Sequence, residues 1–286
     1  MILDGKKIAL HIEAELKEKI GHLQTRKPGL AVVLVGEHPA SLTYIRMKEK
    51  RCTSVGINFY LKKFPSSISE DLLLEEIKNL NNNKTIDGIL VQLPLPPHIS
   101  TQTVIETIDP KKDVDCFHPL NMGKLSIGNK DGFIPCTPGG IQLLLKHANV
   151  QVEGKHVVVV GRSNLVGKPL AILLMQKGPH ANATVTVAHS GTPNLKEICQ
   201  SADILIVAIG SPLFIKSDMV KKGAVVIDVG IHKIQSEAGT KIIGDVDFEQ
   251  VKDKCSIITP VPGGVGPMTI AMLLKNTYQS YLQHTL

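Results

Sequence analysis

"KHVVVVGRSNLVGKP", residues 155–169, decides the fold. Its valine run is of the kind buried on both faces of a parallel sheet, and the run ends on Gly161. A tight turn follows, and Gly167 and Pro169 open a helix. A pyrophosphate needs this sequence of strand, glycine turn and helix start. Glycines let the backbone approach, and the helix N-terminus offers unpaired N–H groups and the positive end of its dipole. The spelling departs from G-x-G-x-x-G, because Gly161 is followed by Ser163 and only then by Gly167. Taken alone, the stretch leaves a structural turn and a nucleotide site both open. Its context favours the nucleotide: "TVTVAHS", "ADILIVAIG", "GAVVIDVG" and "SIITPVPGG" follow, each a short β-branched strand ending in small or turn-forming residues.

The choice of nicotinamide cofactor is also legible. NAD sites carry a carboxylate at the end of the second strand, about 20 residues past the glycines, to accept from the ribose hydroxyls. Here "TVTVAHS" ends in His189 and Ser190, while Arg162 stands in the turn, and a guanidinium suits a 2′-phosphate. This favours NADP. The alternative is that Arg162 points to solvent and selectivity lies elsewhere.

Upstream, "LAVVLVG" (30–36), a helix containing "SLTYIRMKEKRC" (41–52), "INFYLKKF" (57–64), "SEDLLLEEIKNLNN" with Ser69 as N-cap, and "GILVQLP" (88–94) spell βαβαβ. From residue 94 to about 138 the sequence is irregular and reads as a domain crossing, before the helix "IQLLLKHANV". "PMTIAMLLKNTYQSYLQ" is a long closing helix with Pro267 in its first turn. The expected fold class is α/β, with two α/β domains of which the C-terminal one is a Rossmann-type dinucleotide-binding domain. A chain of 286 residues is long enough for both.

Composition narrows the function further. Hydrophobic residues make up 43%, with no apolar run that could span a membrane, and "MILDGKKIALHIEAELKEKIGHL" lacks a signal peptide's apolar core. The five cysteines are scattered, without C-x-x-C spacing, so a cytoplasmic location is expected. A net charge of +6 suits polyanions, but the basic residues are dispersed and aromatics are only 3%, which argues against nucleic acid. No metal site is expected, since H-E-x-x-H is absent and the eleven histidines show no paired spacing. G-x-S-x-G is absent as well.

The candidate chemistry rests on few residues. Tyr44 and Lys48 lie one helical turn apart on a face with Ser41 and Val55, either as a plain surface pair or as a pair reaching one ligand. Gln92 interrupts an apolar strand at its carboxyl end, the edge where open α/β sheets bind ligands. Its amide is satisfied there either by backbone or by a neighbouring side chain and ligand. Asp115 lies in the crossing segment, as a turn residue or a ligand contact. Short-chain dehydrogenases also use Tyr-x-x-x-Lys, but downstream of their glycine turn. Here the pair lies more than a hundred residues upstream of it.

Together the stretches "Y-x-x-x-K" (44–48), "DGILVQLPLP" (87–96), "KDVD" (112–115), "PCTPGG" (135–140), "GRSNLVGKP" (161–169), "HSGT" (189–192), "DVGI" (228–231) and "PVPGGVGPMT" (260–269) resemble the bifunctional methylenetetrahydrofolate dehydrogenase/methenyltetrahydrofolate cyclohydrolase family. They run in order over nearly the whole chain. Two departures stand out: Cys116 replaces the glycine of "KDVDG", which would strain the loop if that position needs φ > 0, and His232 stands where asparagine is common.

The resemblance implies oxidation of 5,10-methylenetetrahydrofolate with NADP⁺ and hydrolysis of the product to 10-formyltetrahydrofolate. It implies a folate-binding domain from residues 1–118 plus 267–286, an NADP domain from 119–266, and a cleft between them. Gly161, Arg162, Ser163, Ser190 and Ile231 would hold the cofactor. Tyr44, Lys48, Gln92, Asp115, Pro262 and Gly263 would contact the folate, and the basic surface suits folates with a polyglutamate tail. Lys48 would serve as base or orient the attacking water, with burial and the cations Arg46 and Arg51 lowering its pKa, and Gln92 would hold its amine. A homodimer is expected from the same resemblance. A dinucleotide-binding sensor without turnover is the remaining alternative.

Overall fold

The computed structural model describes residues 1–236 and 239–285. The chain divides into two compact units, one formed by Leu10–Cys136 with Ile270–Leu286 and the other by Met1–Ala9 with Thr137–Thr269.

The first unit follows the βαβαβ reading. After helix α1 (Gly5–Gly21) come β1 (Gly29–Val35), α2 (Pro39–Val55), β2 (Asn58–Phe64), α3 (Glu70–Asn82) and β3 (Gly88–Val91). The strands form a parallel sheet of order β2-β1-β3. Every residue of β1 is buried, as its unbroken apolar run requires, whereas β2 lies at the edge and alternates exposed with half-buried positions. Ser69 caps α3 by accepting from the Leu72 N–H at 3.4 Å.

The segment from 94 to 138 is more ordered than its turn-rich sequence implies, with α4 (Thr101–Thr107), α5 (Pro119–Ser126) and the start of α6 (Cys136–His147). Side-chain caps account for the first two. Ser100 accepts from the Thr103 N–H, and His118 accepts from the Leu120 N–H ahead of Pro119.

The second unit carries β4 (His156–Val160), α7 (Gly167–Met175), β5 (Thr184–Ala188), α8 (Leu195–Ser201), β6 (Ile204–Val207) and β7 (Val225–Asp228). A ribbon of β8 (His232–Ser236) and β9 (Gly239–Ile243), α9 (Phe248–Val251) and β10 (Ile257–Ile258) complete it, before α10 (Val265–Thr285). Five strands form a parallel sheet of order β10-β7-β6-β4-β5. Because β5 and β6 flank β4 on opposite sides, the carboxyl end of β4 is a topological switch point, and the turn after it is where such sheets bind ligands. In the first unit β1 holds the same central position between β2 and β3.

The borders between units differ from the expected 118/119 and 266/267. Asn121 donates to the Pro110 carbonyl (2.8 Å) and to Asp113 (2.9 Å), and the Cys116 thiol donates to the Phe133 carbonyl (3.1 Å). These bonds fasten residues 119–136 to the first unit. At the amino terminus, the Leu3 N–H donates to the Ile258 carbonyl (2.8 Å) and Ile2 bridges Ile258, which draws the opening residues into the second unit. Among the described residues no helix is long and apolar enough to cross a membrane.

Candidate functional site

In the first unit, α2 leaves the carboxyl end of the central strand and presents Tyr44 and Lys48 one turn apart, both partly buried. Gln92 follows β3 directly, and its backbone N–H donates to the Val33 carbonyl of β1 (2.9 Å). The Lys48 amine donates to Gln92 Oε1 at 2.9 Å, and Gln92 Nε2 donates to the Leu93 carbonyl at 3.0 Å. With its nitrogen committed to backbone, the amide is fixed with its oxygen toward the lysine.

Burial lowers the Lys48 pKa below the usual lysine value, and the charge of Asp115 opposes that shift. Arg46 and Arg51, expected to contribute, do not cause it: Arg46 is exposed, and Arg51 is paired with Glu13 at 3.0 Å. Burial raises the pKa of Asp115, against the pull of Lys48. Burial likewise raises the Tyr44 hydroxyl.

Lys112 and Asp113 of "KDVD" are occupied structurally. Lys112 Nζ donates to the carbonyls of Leu80 (3.3 Å), Asn81 (2.6 Å) and Asn83 (2.9 Å), satisfying the carboxyl end of α3. Asp113 accepts from the N–H groups of Phe117 (3.2 Å) and His118 (2.9 Å). Asp115 thus lies in a short loop closed by the bonds from Phe117 and His118 back to Asp113. Cys116 adopts φ 63°, the left-handed region that favours glycine, and is fully buried.

Sequence reasoning missed Cys136, which reads as a small buried hydrophobe. It hydrogen-bonds Asp115, and its thiol also lies 3.4 Å from the Val114 carbonyl. Burial holds it as the protonated thiol, well above the ordinary cysteine pKa. Asn276 of α10 donates to the carbonyls of Val114 (2.8 Å) and Ile134 (2.9 Å), clamping both segments that meet at Asp115. The only signal for either residue was its place inside or beside a matched motif.

In the second unit, Gly161 ends β4 with φ 125°, and a Cβ there would meet the Ala208 carbonyl oxygen at 2.2 Å. A Cβ on Gly167 would stand 2.1 Å from the Gly161 oxygen, so both glycines are required to close the turn. Ser163 accepts from the N–H groups of Val166 (3.1 Å) and Gly167 (3.4 Å), bracing the entry to α7. Arg162 is exposed in this turn, and its Nη1 lies 3.3 Å from His189 Nε2, at the end of the neighbouring strand β5. Ser190 is exposed beside it, and Ile231 is 45% exposed after β7. Gly263 has φ 108°, and its carbonyl accepts from the Lys6 N–H (2.9 Å), while Pro262 is exposed. Both belong to the second unit, apart from Lys48, Gln92 and Asp115 in the first.

His232, the second departure, donates from Nε2 to Asp245 Oδ1 (2.7 Å), and Asp245 Oδ2 accepts from the N–H groups of Ile209 (2.8 Å) and Gly210 (3.1 Å). That places the histidine as a brace of the strand ends. The residues after β4 and β5 fit a dinucleotide with an additional phosphate: the turn is glycine-tight, the end of β5 carries no carboxylate, and Arg162 has no acidic partner among the described residues.

Comparison with known proteins agrees in both halves. Residues 3–115 match the family described as tetrahydrofolate dehydrogenase/cyclohydrolase, catalytic domain, and residues 135–285 match its NAD(P)-binding domain. The chain is 57% identical over 284 residues to the bifunctional protein FolD of Protochlamydia amoebophila, covering 98% of this chain and 97% of that protein. It superposes on the bifunctional FolD methylenetetrahydrofolate dehydrogenase/cyclohydrolase of Campylobacter jejuni with a TM-score of 0.94 and 48% identity, over 99% of each chain. The Trypanosoma brucei dehydrogenase-cyclohydrolase, solved with NADP cofactor and inhibitor, gives a TM-score of 0.93 at 37% identity, covering 99% of this chain and 97% of that one.

Proposed function

Because this chain belongs to the tetrahydrofolate dehydrogenase/cyclohydrolase family, we propose that it oxidises 5,10-methylenetetrahydrofolate to the 5,10-methenyl form with NADP⁺ and hydrolyses that product to 10-formyltetrahydrofolate. The observation that carries the hydrolytic step is the Lys48 amine, desolvated and held by Gln92 Oε1 at 2.9 Å.

NADP⁺, when bound, supplies the hydride acceptor for the first step. The protein's share of that step is positioning. Asp115 accepts hydrogen bonds from the amino and ring N–H groups of the pterin, and Tyr44 packs or hydrogen-bonds against the folate. Gly161, Arg162, Ser163, Ser190 and Ile231 hold the cofactor, and the backbone at Pro262 and Gly263 borders the ligands.

In the second step, water adds to the electrophilic methenyl carbon. Lys48, as the free amine, takes a proton from that water to give the neutral carbinol adduct; the carbon–N5 bond then breaks as N5 gains a proton and the carbinol hydroxyl loses its own, leaving the formyl group on N10 and one proton released overall. Gln92 holds the amine in line through its fixed amide oxygen. The substrate's own cationic charge disfavours the ammonium form and so favours the base before the reaction.

The test is an assay of the purified protein with 5,10-methylenetetrahydrofolate and either NADP⁺ or NAD⁺, following reduced cofactor and methenyl product separately. Reduced cofactor without accumulation of methenyl product is expected. Accumulation of methenyl product would remove the hydrolase assignment, and reduction of neither cofactor would leave a dinucleotide-binding protein. The same reading includes a cytoplasmic homodimer, checked by sedimentation. It also includes binding of polyglutamylated folates through the basic surface, checked by whether their affinity falls more steeply with salt than that of the monoglutamate.

A further inference from the structure

All strands of the second unit's five-stranded sheet are parallel, so their first residues share one edge and their last residues the other. The glycine turn after β4 belongs to the carboxyl edge. At the amino edge lies a cavity of about 360 Å³, within the size range of small-molecule sites. Ile204, Val225 and Ile257, which open the neighbouring strands β6, β7 and β10, give it an apolar lining. The remaining lining comes from the segments that follow α6 and precede β4 and β7. A strand's length, roughly 15 Å, separates this edge from the glycine turn.

Lys155, Lys221 and Lys222 line the same cavity, against one carboxylate, Asp203. That carboxylate is already committed. Its Oδ1 accepts from Lys221 Nζ at 2.7 Å, and its Oδ2 accepts from the His156 N–H at 3.0 Å. The Lys221 bond, with that N–H, holds Asp203 below the ordinary aspartate pKa, so it stays ionised and neutralises one lysine. Lys155 acts on it only as a more distant charge. Neither Lys155 nor Lys222 has a hydrogen bond or ion pair through its side chain among the described residues. The side-chain amides of Asn149 and Gln151, in the same lining, also make no hydrogen bond there. An isolated surface lysine is ordinarily content with water. Here two of them, from separate segments, meet one concave space with an apolar lining and without a compensating carboxylate.

We infer that this cavity is a binding site for a phosphate monoester with an apolar body about the size of one ring. The phosphate group is largely a dianion at neutral pH, which matches the two uncompensated lysines and gives each a charge-assisted hydrogen bond. The body covers Ile204, Val225 and Ile257. A bare phosphate leaves that apolar surface wet, and a neutral ring leaves the two ammonium groups unmatched. The site stands apart from the cofactor turn and owes nothing to the folate chemistry.

The test titrates phenyl phosphate calorimetrically into the full-length protein, with and without saturating NADP⁺. Inorganic phosphate, phenol and succinate serve as comparison probes. The double variant Lys155→Met/Lys222→Met removes the two ammonium groups and keeps most of each side chain's length. Lys17→Met/Lys19→Met, on α1 and outside the lining, removes the same charge elsewhere. Phenyl phosphate is expected to bind one site per chain whether or not NADP⁺ is present, and more tightly than any of the three comparison probes. The cavity variant is expected to weaken it at least about tenfold, with its melting temperature and NADP⁺ affinity unchanged, while the α1 variant weakens it less than about twofold.

Absence of binding would overturn the site. Loss of binding on adding NADP⁺ would place the probe in the cofactor turn and overturn it equally. Similar weakening in both double variants would reduce the effect to the protein's diffuse positive field. Inorganic phosphate or succinate binding as tightly as phenyl phosphate would remove the apolar body, and with it the monoester.

Discussion

Replacing Lys48 with methionine separates the proposed chemistry from the scaffold. Methionine matches the lysine stem in length and removes only the amine, so the hydrogen bond to Gln92 Oε1 at 2.9 Å disappears. Gln92 is not fully buried, and water can take the vacated position on its oxygen. Burial already disfavours the lysine charge at this position, so an apolar replacement costs the fold little, within about 1 kcal/mol. The hydrolytic barrier is a different matter. A positioned base contributes about 10²- to 10⁴-fold, or roughly 3–5 kcal/mol, and all of it resides in this amine.

The expected variant therefore melts within a few degrees of the parent, binds NADP⁺ with unchanged affinity, and hydrolyses 5,10-methenyltetrahydrofolate at least about a hundredfold more slowly. The assay follows loss of the methenyl chromophore, with calorimetric titration of NADP⁺ and a thermal scan on the same preparation. Turnover within about threefold of the parent would refute the role of Lys48. A fall of many degrees in melting temperature would refute the argument that the amine is not structural.

Further expectations concern the surroundings of that site. The charge of Asp115 favours the Lys48 ammonium, so Asp115→Asn should lower the Lys48 pKa further and move the alkaline rise of the hydrolase pH–rate profile to lower pH; a limb that stays put or moves up would exclude the coupling. Cys116 sits at φ 63°, where an L side chain costs about 1–2 kcal/mol. Cys116→Gly should change the urea-unfolding free energy by no more than about 1 kcal/mol, and Cys116→Val should lower it by at least about 2 kcal/mol, because β-branching adds to the same strain. Equal stability of the valine variant would contradict this. Arg26 pairs both nitrogens with the fully buried Asp87 at 2.7 Å, so Arg26→Ala should destabilise the fold by about 3 kcal/mol by leaving a buried carboxylate without its cation, with the Gly29 N–H (2.8 Å) still donating to it. A loss below about 1 kcal/mol in the same unfolding experiment would show that solvent reaches Asp87.

Particular residues show why some of this architecture is legible in sequence and some is not. The strands β1, β4, β6 and β7 are buried throughout or nearly so, and burial on both faces writes itself as an unbroken apolar run. The ribbon of β8 and β9 is antiparallel and largely exposed, so "HKIQS" and "GTKII" carry no such mark. Helices α4 and α5 are short and depend on the caps from Ser100 and His118, a signal easily taken for loop chemistry. At the site, Lys48 and Gln92 were brought together as expected. The cause of the lysine's shift was not legible, because the pairing of Arg51 with Glu13 depends on which helix face meets which. Cys136 and Asn276 stayed hidden because they act on Asp115 through backbone carbonyls and a thiol, which no spacing rule encodes.

Asn276 also determines when the site comes into being. Ribosomes deliver a chain from its amino terminus, so the strands and helices that bear Lys48, Gln92 and Asp115 emerge before α10. The clamp on Val114 and Ile134 emerges more than a hundred residues later, on α10, together with Ser280, whose hydroxyl bonds the carbonyls of Asp87 (2.6 Å) and Lys111 (2.8 Å). A polypeptide ending between residues 136 and 276 thus carries Lys48, Gln92 and Asp115 without the fastening that orders them. The order of the site is therefore set only once α10 has been made, well after its reactive side chains.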